Sequence, residues 1–209
     1  AIEICKKWGS NYRNPWNYFF LGESYHKINE HKRENEVHEL ALSIFPDHPT
    51  IIAGQAICAL SQGDTDKADK LMTKYKSIRK NKYQWPESRI MATVGYIYSQ
   101  ANLIDKAEIN YRQGLKLEPL NPSRMYNLAW FLIDNDINVN EGLELVQKAL
   151  EQESDDWYYL DTKGWGLYKQ GKYEEALKIL NDSWELRPYY DHEGFQHIQE
   201  VEKALKNNK

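Results

Sequence analysis

The sequence predicts an all-α chain: a solenoid of about five helix pairs closed by a C-terminal capping helix. Three observations predict it. The seven prolines, Pro15, Pro46, Pro49, Pro86, Pro119, Pro122 and Pro188, leave between them stretches long enough for pairs of helices. Proline is tolerated at first turns and past helix ends but breaks helix interiors. Within those stretches apolar residues return at helical spacing, as at Ala176, Leu177, Ile179, Leu180 and Trp184, with no sustained alternation and no Asn-Gly or Asp-Gly hairpin signal. Self-comparison then aligns the small residues Gly22, Ala56, Gly95, Ala129 and Gly164, separated by 34, 39, 34 and 35 residues, a period that marks stacked helical units.

The elements follow in order. Residues 1–14 are read as the end of a partial N-terminal repeat or a cap, because Ala1 to Trp8 resembles the close of a second-of-pair helix and Trp8 resembles Trp184. That reading implies an upstream half-repeat; a short capping helix is the alternative. Five helix pairs are expected at 15–28 with 31–45, 49–62 with 64–81, 87–100 with 103–118, 122–134 with 139–153, and 157–170 with 172–186. Each pair carries a small residue in its first helix, and Ala68, Ala107, Gly142 and Ala176 supply the facing small residue in the second, so that the helices approach closely. Residues 191–209 form the cap: Phe195, Ile198, Val201 and Leu205 fall on one side of a helix over 192–206, and the polar side suits the exposed end of a solenoid.

The segment 157–190, WYYLDTKGWGLYKQGKYEEALKILNDSWELRPYY, resembles a tetratricopeptide repeat, with the small residue Gly164, the turn residue Gly171, then Tyr173, Ala176, Leu180 and Pro188. The resemblance extends over five repeats, 15–48, 49–87, 88–121, 122–156 and 157–190, and implies a right-handed superhelix. Departures from the pattern are local. Glu34 replaces alanine in the first repeat, which predicts a wider helix pair. About five extra residues around Lys80 to Trp85 predict a longer helix or loop in the second, and the fourth carries one extra residue near Asn138.

The resemblance also implies an inner wall, made by repeat positions 2, 5, 9 and 12 of each first helix. These positions hold Trp16, Phe19, Glu23 and His26; Thr50, Ala53, Ile57 and Leu60; Arg89, Ala92, Tyr96 and Ser99; Ser123, Tyr126, Trp130 and Ile133; Tyr158, Asp161, Trp165 and Tyr168. Eight of the twenty are aromatic in a chain that is 13% aromatic, and aromatic anchors are over-represented among residues that dominate recognition. Trp16, Phe19, Tyr96, Tyr126, Trp130, Tyr158 and Trp165 are therefore the candidate ligand-binding residues, with Tyr96, Trp130 and Trp165 expected as a stripe. Packing against the next repeat is the competing role, above all at position 12.

The same wall excludes one known mode of this family. Members that grip a peptide's terminal carboxylate use Lys, Asn and Arg at positions 5 and 9, and none stands there in this chain. A basic run at 67–82 and an acidic run at 141–156 read as solvated faces, and a sequence pI of about 5.9 gives no support for nucleic-acid binding. The longest nearly apolar run, Ile51 to Leu60, is too short for a bilayer. Cys5 and Cys58 form no CxxC pair, and no P-loop, GxGxxG or GxSxG occurs. His192 and His197 stand five apart, about 140° around a helix, and cannot share a zinc ion as histidines four apart can. His26, His31 and His38 are assigned to different helices or faces.

No metal, cofactor or catalytic residue is therefore expected. The function read from the sequence is a non-catalytic scaffold or adaptor that binds a protein or peptide along an aromatic groove, and the uncapped N-terminal edge offers a surface for self-association. The alternative is an accessory region that positions substrate or a domain in a larger enzyme.

Overall fold

The computed structural model describes Glu3 and residues 14–207; apart from Glu3, the readings for Ala1 to Trp8 and for Cys5 lie outside these residues. Among the described residues there are eleven helices and no strand: α1 (Pro15–Lys27), α2 (His31–Ile44), α3 (Pro49–Ser61), α4 (Thr65–Asn81), α5 (Glu87–Gln100), α6 (Ile104–Leu117), α7 (Pro122–Asp134), α8 (Val139–Leu150), α9 (Trp157–Lys169), α10 (Tyr173–Leu186) and α11 (His192–Asn207). Each helix end lies within three residues of its sequence expectation.

The boundaries have local causes. Pro15, Pro49 and Pro122 each occupy the first turn of a helix, where the missing N–H is not needed. Side chains cap the same region: Asn14 accepts from the Trp16 N–H, Asp64 from Lys67, Asn138 from Glu141, and Asp156 from both Tyr158 and Tyr159, at 2.8–3.1 Å.

The turn inside every pair closes in one way. Asn29, Gly63, Asn102, Asp136 and Gly171 stand at the same repeat position and all have positive φ, between 53° and 76°. The N–H of the next residue then reaches back to the carbonyl five residues earlier: Glu30 to Tyr25, Asp64 to Ala59, Leu103 to Tyr98, Ile137 to Leu132 and Lys172 to Leu167, at 2.9–3.0 Å. This is the left-handed helix stop in which glycine, asparagine and aspartate are tolerated.

Two compact units result, Ala1–Asn110 and Tyr111–Lys209, with the division falling inside α6. In the first unit α3 is buried without a break from Pro49 to Ala59, the fate of a helix that is apolar all round. Its Ile52, Ala56 and Ile57 pack with Met72 and Tyr75 of α4 and with Ile90, Val94 and Ile97 of α5. Ile51 joins Tyr18 of α1 and Ala41 of α2.

Where Glu34 predicts a wider first pair, the His38 ring fills the space between the helices at Gly22. A Cβ at Gly22 would overlap the His38 ring. The extra residues of the second repeat lengthen α4 to 17 residues and bring Trp85 between Arg79 and Arg89, whose guanidinium carbons lie 3.8 Å from its ring centre on each side. The basic run is partly used internally, since Lys74 pairs with Asp47 at 2.5 Å and Lys67 donates to Asn35 at 3.1 Å.

In the second unit Met125 and Ala129 of α7 pack against Val146 and Ala149 of α8 and Tyr159 of α9. Leu167, Ala176 and Leu180 meet Val201 of α11. The small residues have immediate partners: a Cβ at Gly164 would sit 2.6 Å from Leu180 Cγ, and one at Gly142 2.5 Å from Ile133 Cγ1. Arg112 grips Glu141 of the acidic run with two hydrogen bonds, at 2.6 and 2.9 Å.

Candidate functional site

In the second unit the first helices α7 and α9 place their inner positions side by side. Tyr126, Trp130, Tyr158 and Asp161 line a recess of about 150 Å³, completed by Trp157, Thr162, Arg187, Tyr189, Asp191 and Glu193. Tyr158 stacks on Trp157 with ring centroids 3.5 Å apart, and its hydroxyl meets that of Tyr189 at 3.3 Å. Tyr126 is tilted against both Tyr158 and Tyr159, at 6.1 and 5.1 Å.

The floor of the recess is charged. Arg187, at the end of α10, donates to Asp161 Oδ1 at 2.6 Å and to the Asp191 carboxylate, while its guanidinium lies over Trp157 and Trp184. Asp191 also accepts from the Gly194 N–H at 3.1 Å and so starts α11. His197 reaches from α11 to Asp161 Oδ2 at 2.9 Å; because the carboxylate only accepts, Nδ1 carries the proton.

Burial pushes the Glu193 carboxyl and the Tyr126 hydroxyl above their ordinary ranges. Burial and the hydrogen bond with Tyr189 take Tyr158 to about 12. Asp161 and Asp191 thus share one arginine at the base of an aromatic recess that Glu193 also lines, an arrangement suited to a cation flanked by rings.

Trp165, expected on the same wall, has another environment. Its indole is stacked between His197 and Tyr168, at 4.2 and 4.7 Å, with Lys169 Nζ 5.4 Å from the ring centre. Trp130 also faces His197, at 5.8 Å. Within the second unit, α11 therefore lays an imidazole across the two tryptophans of the expected stripe, while Tyr96 belongs to the first unit.

The first unit has its own small cavity, of about 10 Å³. Phe19, Glu23, His26, Ile57 and Tyr96, all at inner-wall positions, line it with Glu34, His38, Gly54 and Gln100. Trp16 does not line it; it stands half exposed, with its ring 6.3 Å from Phe19.

Sequence spacing gave no sign of what lies beside this cavity. Glu34 is 1% exposed and accepts from His26 Nδ1 at 3.0–3.1 Å and from His31 Nδ1 at 2.9 Å. Histidines five apart would diverge on one helix, but His26 and His31 stand on either side of the turn at Asn29, which folds α2 back beside α1. Burial alone would raise the Glu34 carboxyl; the hydrogen bonds from the two imidazoles outweigh it and hold the group below its ordinary value. The hydrogen bond with Glu34 in turn raises His26.

His38, one turn further along α2, has the opposite fate. It is 1% exposed, lies against Gly22 and Gly54, and neither ring nitrogen has a partner among the described residues. Burial takes it down to about 4. Cys58 is buried nearby, donating to the His31 carbonyl at 3.8 Å, and burial with the Glu34 charge pushes its thiol up to about 12, the state of an unreactive cysteine.

Comparison with known proteins agrees with this architecture. A family model described as Tetratricopeptide repeat matches residues 88–119. A TPR repeat-containing protein of Pseudomonas aeruginosa, PA4667, is 30% identical over 127 residues, which is 60% of this chain and 21% of that protein. The chain thus spans about a fifth of the length of this curated relative.

Among solved structures, yeast Tom70 superposes with a TM-score of 0.57 at 18% identity, covering 99% of this chain and 43% of that one. YrrB, described as a TPR protein with an unusual peptide-binding site, gives 0.50 at 16% identity, over 96% of this chain and all of that one. The first TPR of Spaghetti (RPAP3), bound to the HSP90 peptide SRMEEVD, gives 0.51 at 20% identity, over 57% and 94%. No helix among the described residues is long and apolar enough to cross a membrane.

Proposed function

Because the chain is an array of tetratricopeptide repeats, we propose that it is a protein-interaction module whose second unit takes a segment of a partner protein into the recess between Tyr126, Trp130 and Tyr158. One observation carries this reading: exposed and half-buried rings surround a floor that holds three carboxyl groups, Asp161, Asp191 and Glu193, and a single guanidinium, which pairs with the first two. The partner segment that complements such a floor presents a lysine or arginine, with an apolar or aromatic neighbour to lie against Tyr158 and Trp130. A peptide ending in acidic residues is disfavoured, since like charges at an interface are repelled.

The peptides bound by other proteins of this fold lend support only to the class of ligand. Display of random twelve-residue peptides against the chain tests the reading. Enriched sequences should pair a basic residue with an aromatic or aliphatic one. Their affinity should fall at least tenfold, about 1.4 kcal/mol, in Trp130→Ala and in Tyr158→Ala. Selected peptides that bind a folded Trp130→Ala/Tyr158→Ala chain as tightly as the parent would overturn it.

A further inference from the structure

We propose that His26, His31 and Glu34 form a binding site for a divalent transition-metal ion, with zinc the ion whose ligand chemistry they match. The three donor atoms lie within 4.8 Å of one another. Two imidazoles and one carboxylate are a ligand set that zinc accepts, leaving a fourth position for water.

The protonation pattern points the same way. His26 Nε2 faces the Gln100 carbonyl at 3.1 Å, and a carbonyl only accepts, so Nε2 carries the hydrogen. Nδ1 then faces the Glu34 carboxylate 3.0–3.1 Å away, donating to it while the ring is an imidazolium and offering a lone pair once the ring is neutral. In the neutral ring two acceptors face each other, and a metal ion supplies the positive charge between them. An imidazole that donates its other N–H to a backbone carbonyl is also the arrangement that orients metal-bound histidines.

The distances to Glu34 are close to those of a bound ion, while the two imidazole nitrogens, within 4.8 Å of each other, draw together on binding. Two ligands about 2.05 Å from zinc at the tetrahedral angle stand about 3.3 Å apart. The observed separations of 2.9–3.1 Å to Glu34 need open by only a few tenths of an ångström. Among the described residues no lysine or arginine pairs with Glu34, so no protein cation of that kind competes for the buried carboxylate.

A separate observation supports a ligand here. His38, whose two nitrogens are buried and unpartnered, lines the same cavity as His26 and Glu34. Entry is open from one side, since the His31 side chain keeps 27% of its exposure.

The alternative occupant is a proton, which would make the trio a histidine–carboxylate–histidine hydrogen-bonded cluster. Titration of the untagged, chelator-treated chain with Co²⁺ and Zn²⁺ at pH 7.5 separates the two. One equivalent of Co²⁺ should bind with a visible ligand-field band, and Zn²⁺ should displace it and raise the unfolding temperature. His31→Ala, which changes a partly exposed side chain, and Glu34→Gln, which keeps the shape, should each weaken binding at least tenfold. His192→Ala, a change in the second unit, should leave it unchanged. Failure of the parent chain to bind either metal at tens of micromolar would overturn the site. So would binding that folded His31→Ala and Glu34→Gln chains retain in full.

Discussion

The imidazole of His197 lies flat on the indole of Trp165, with ring centroids 4.2 Å apart and planes inclined by 19°. The same ring donates to Asp161 at 2.9 Å, so a single side chain of α11 is held by both stacking and a charge-assisted hydrogen bond. His197→Ala should lower stability by about 1–3 kcal/mol, the cost of deleting such a bond and leaving Asp161 with Arg187 as its remaining ion-pair partner. His197→Phe keeps the stack and should recover part of that loss. Urea unfolding followed by tryptophan fluorescence measures both; equal stability of His197→Ala and the parent would show that α11 is held by other contacts.

Gly22 and Gly54 leave the His38 ring between two backbones. Alanine at either position should destabilise by about 1–3 kcal/mol through overpacking. In combination with His38→Ala, which removes the ring, the Gly22→Ala cost should largely disappear. That coupling is the quantity to measure by a double-mutant cycle in denaturant; additive losses would show that His38 is not what the new methyl meets.

The same histidine sets a pH dependence whose sign is opposite to that of its neighbour. Burial takes His38 from 6.5 to about 4, while Glu34 pulls against the shift and His26 and Lys67 reinforce it. As pH falls from 6.5 towards 4, the unfolded chain takes up a proton that the folded chain refuses. Stability contributed by the neutral ring is therefore lost over this window, by up to about 3 kcal/mol. His26, raised by Glu34, contributes in the other direction: its stabilisation is full below the unfolded value and fades as pH rises through the folded one. His38→Leu, which installs the residue that Leu180 supplies in the fifth pair, isolates the first effect. Between pH 7.5 and 5, in chelator-containing buffer, the parent should lose at least about 1 kcal/mol more than His38→Leu. Parallel stability profiles would count against it.

Asn102 occupies the left-handed turn of the third pair at φ 57°. Asn102→Gly should be neutral to stabilising by about 0.5 kcal/mol, whereas Asn102→Val should cost about 1–2 kcal/mol, because a β-branched residue clashes in that conformation. Thermal unfolding of the two variants decides it. A valine that costs nothing would mean the turn relaxes to negative φ.

The helices were legible because their signals are local. Proline at Pro15, Pro49 and Pro122, the small residue of each first helix and the period around Leu180 all act within one repeat. Of the residues expected on an inner wall, Phe19 and Tyr96 line one cavity and Tyr126, Trp130 and Tyr158 the other recess.

What stayed hidden depends on contacts across turns. The trio at Glu34 needs a chain reversal at Asn29, and the Asp161 network needs Arg187 and His197 from two later elements. A usable signal did exist: Glu34 and His38 stand where Ala176 and Leu180 stand in the fifth pair, so two neighbouring interior positions of one repeat carry polar side chains.

The five left-handed turns carry one more consequence. Each corner is closed by backbone geometry that Asn29, Gly63, Asn102, Asp136 and Gly171 all satisfy, so folding back one pair makes no demand on the side chains of its inner wall. Shape and chemistry are thereby uncoupled along the chain, and successive pairs can carry unlike surfaces, an imidazole–carboxylate cluster in one and an aromatic, acidic recess in another, on the same repeated corner.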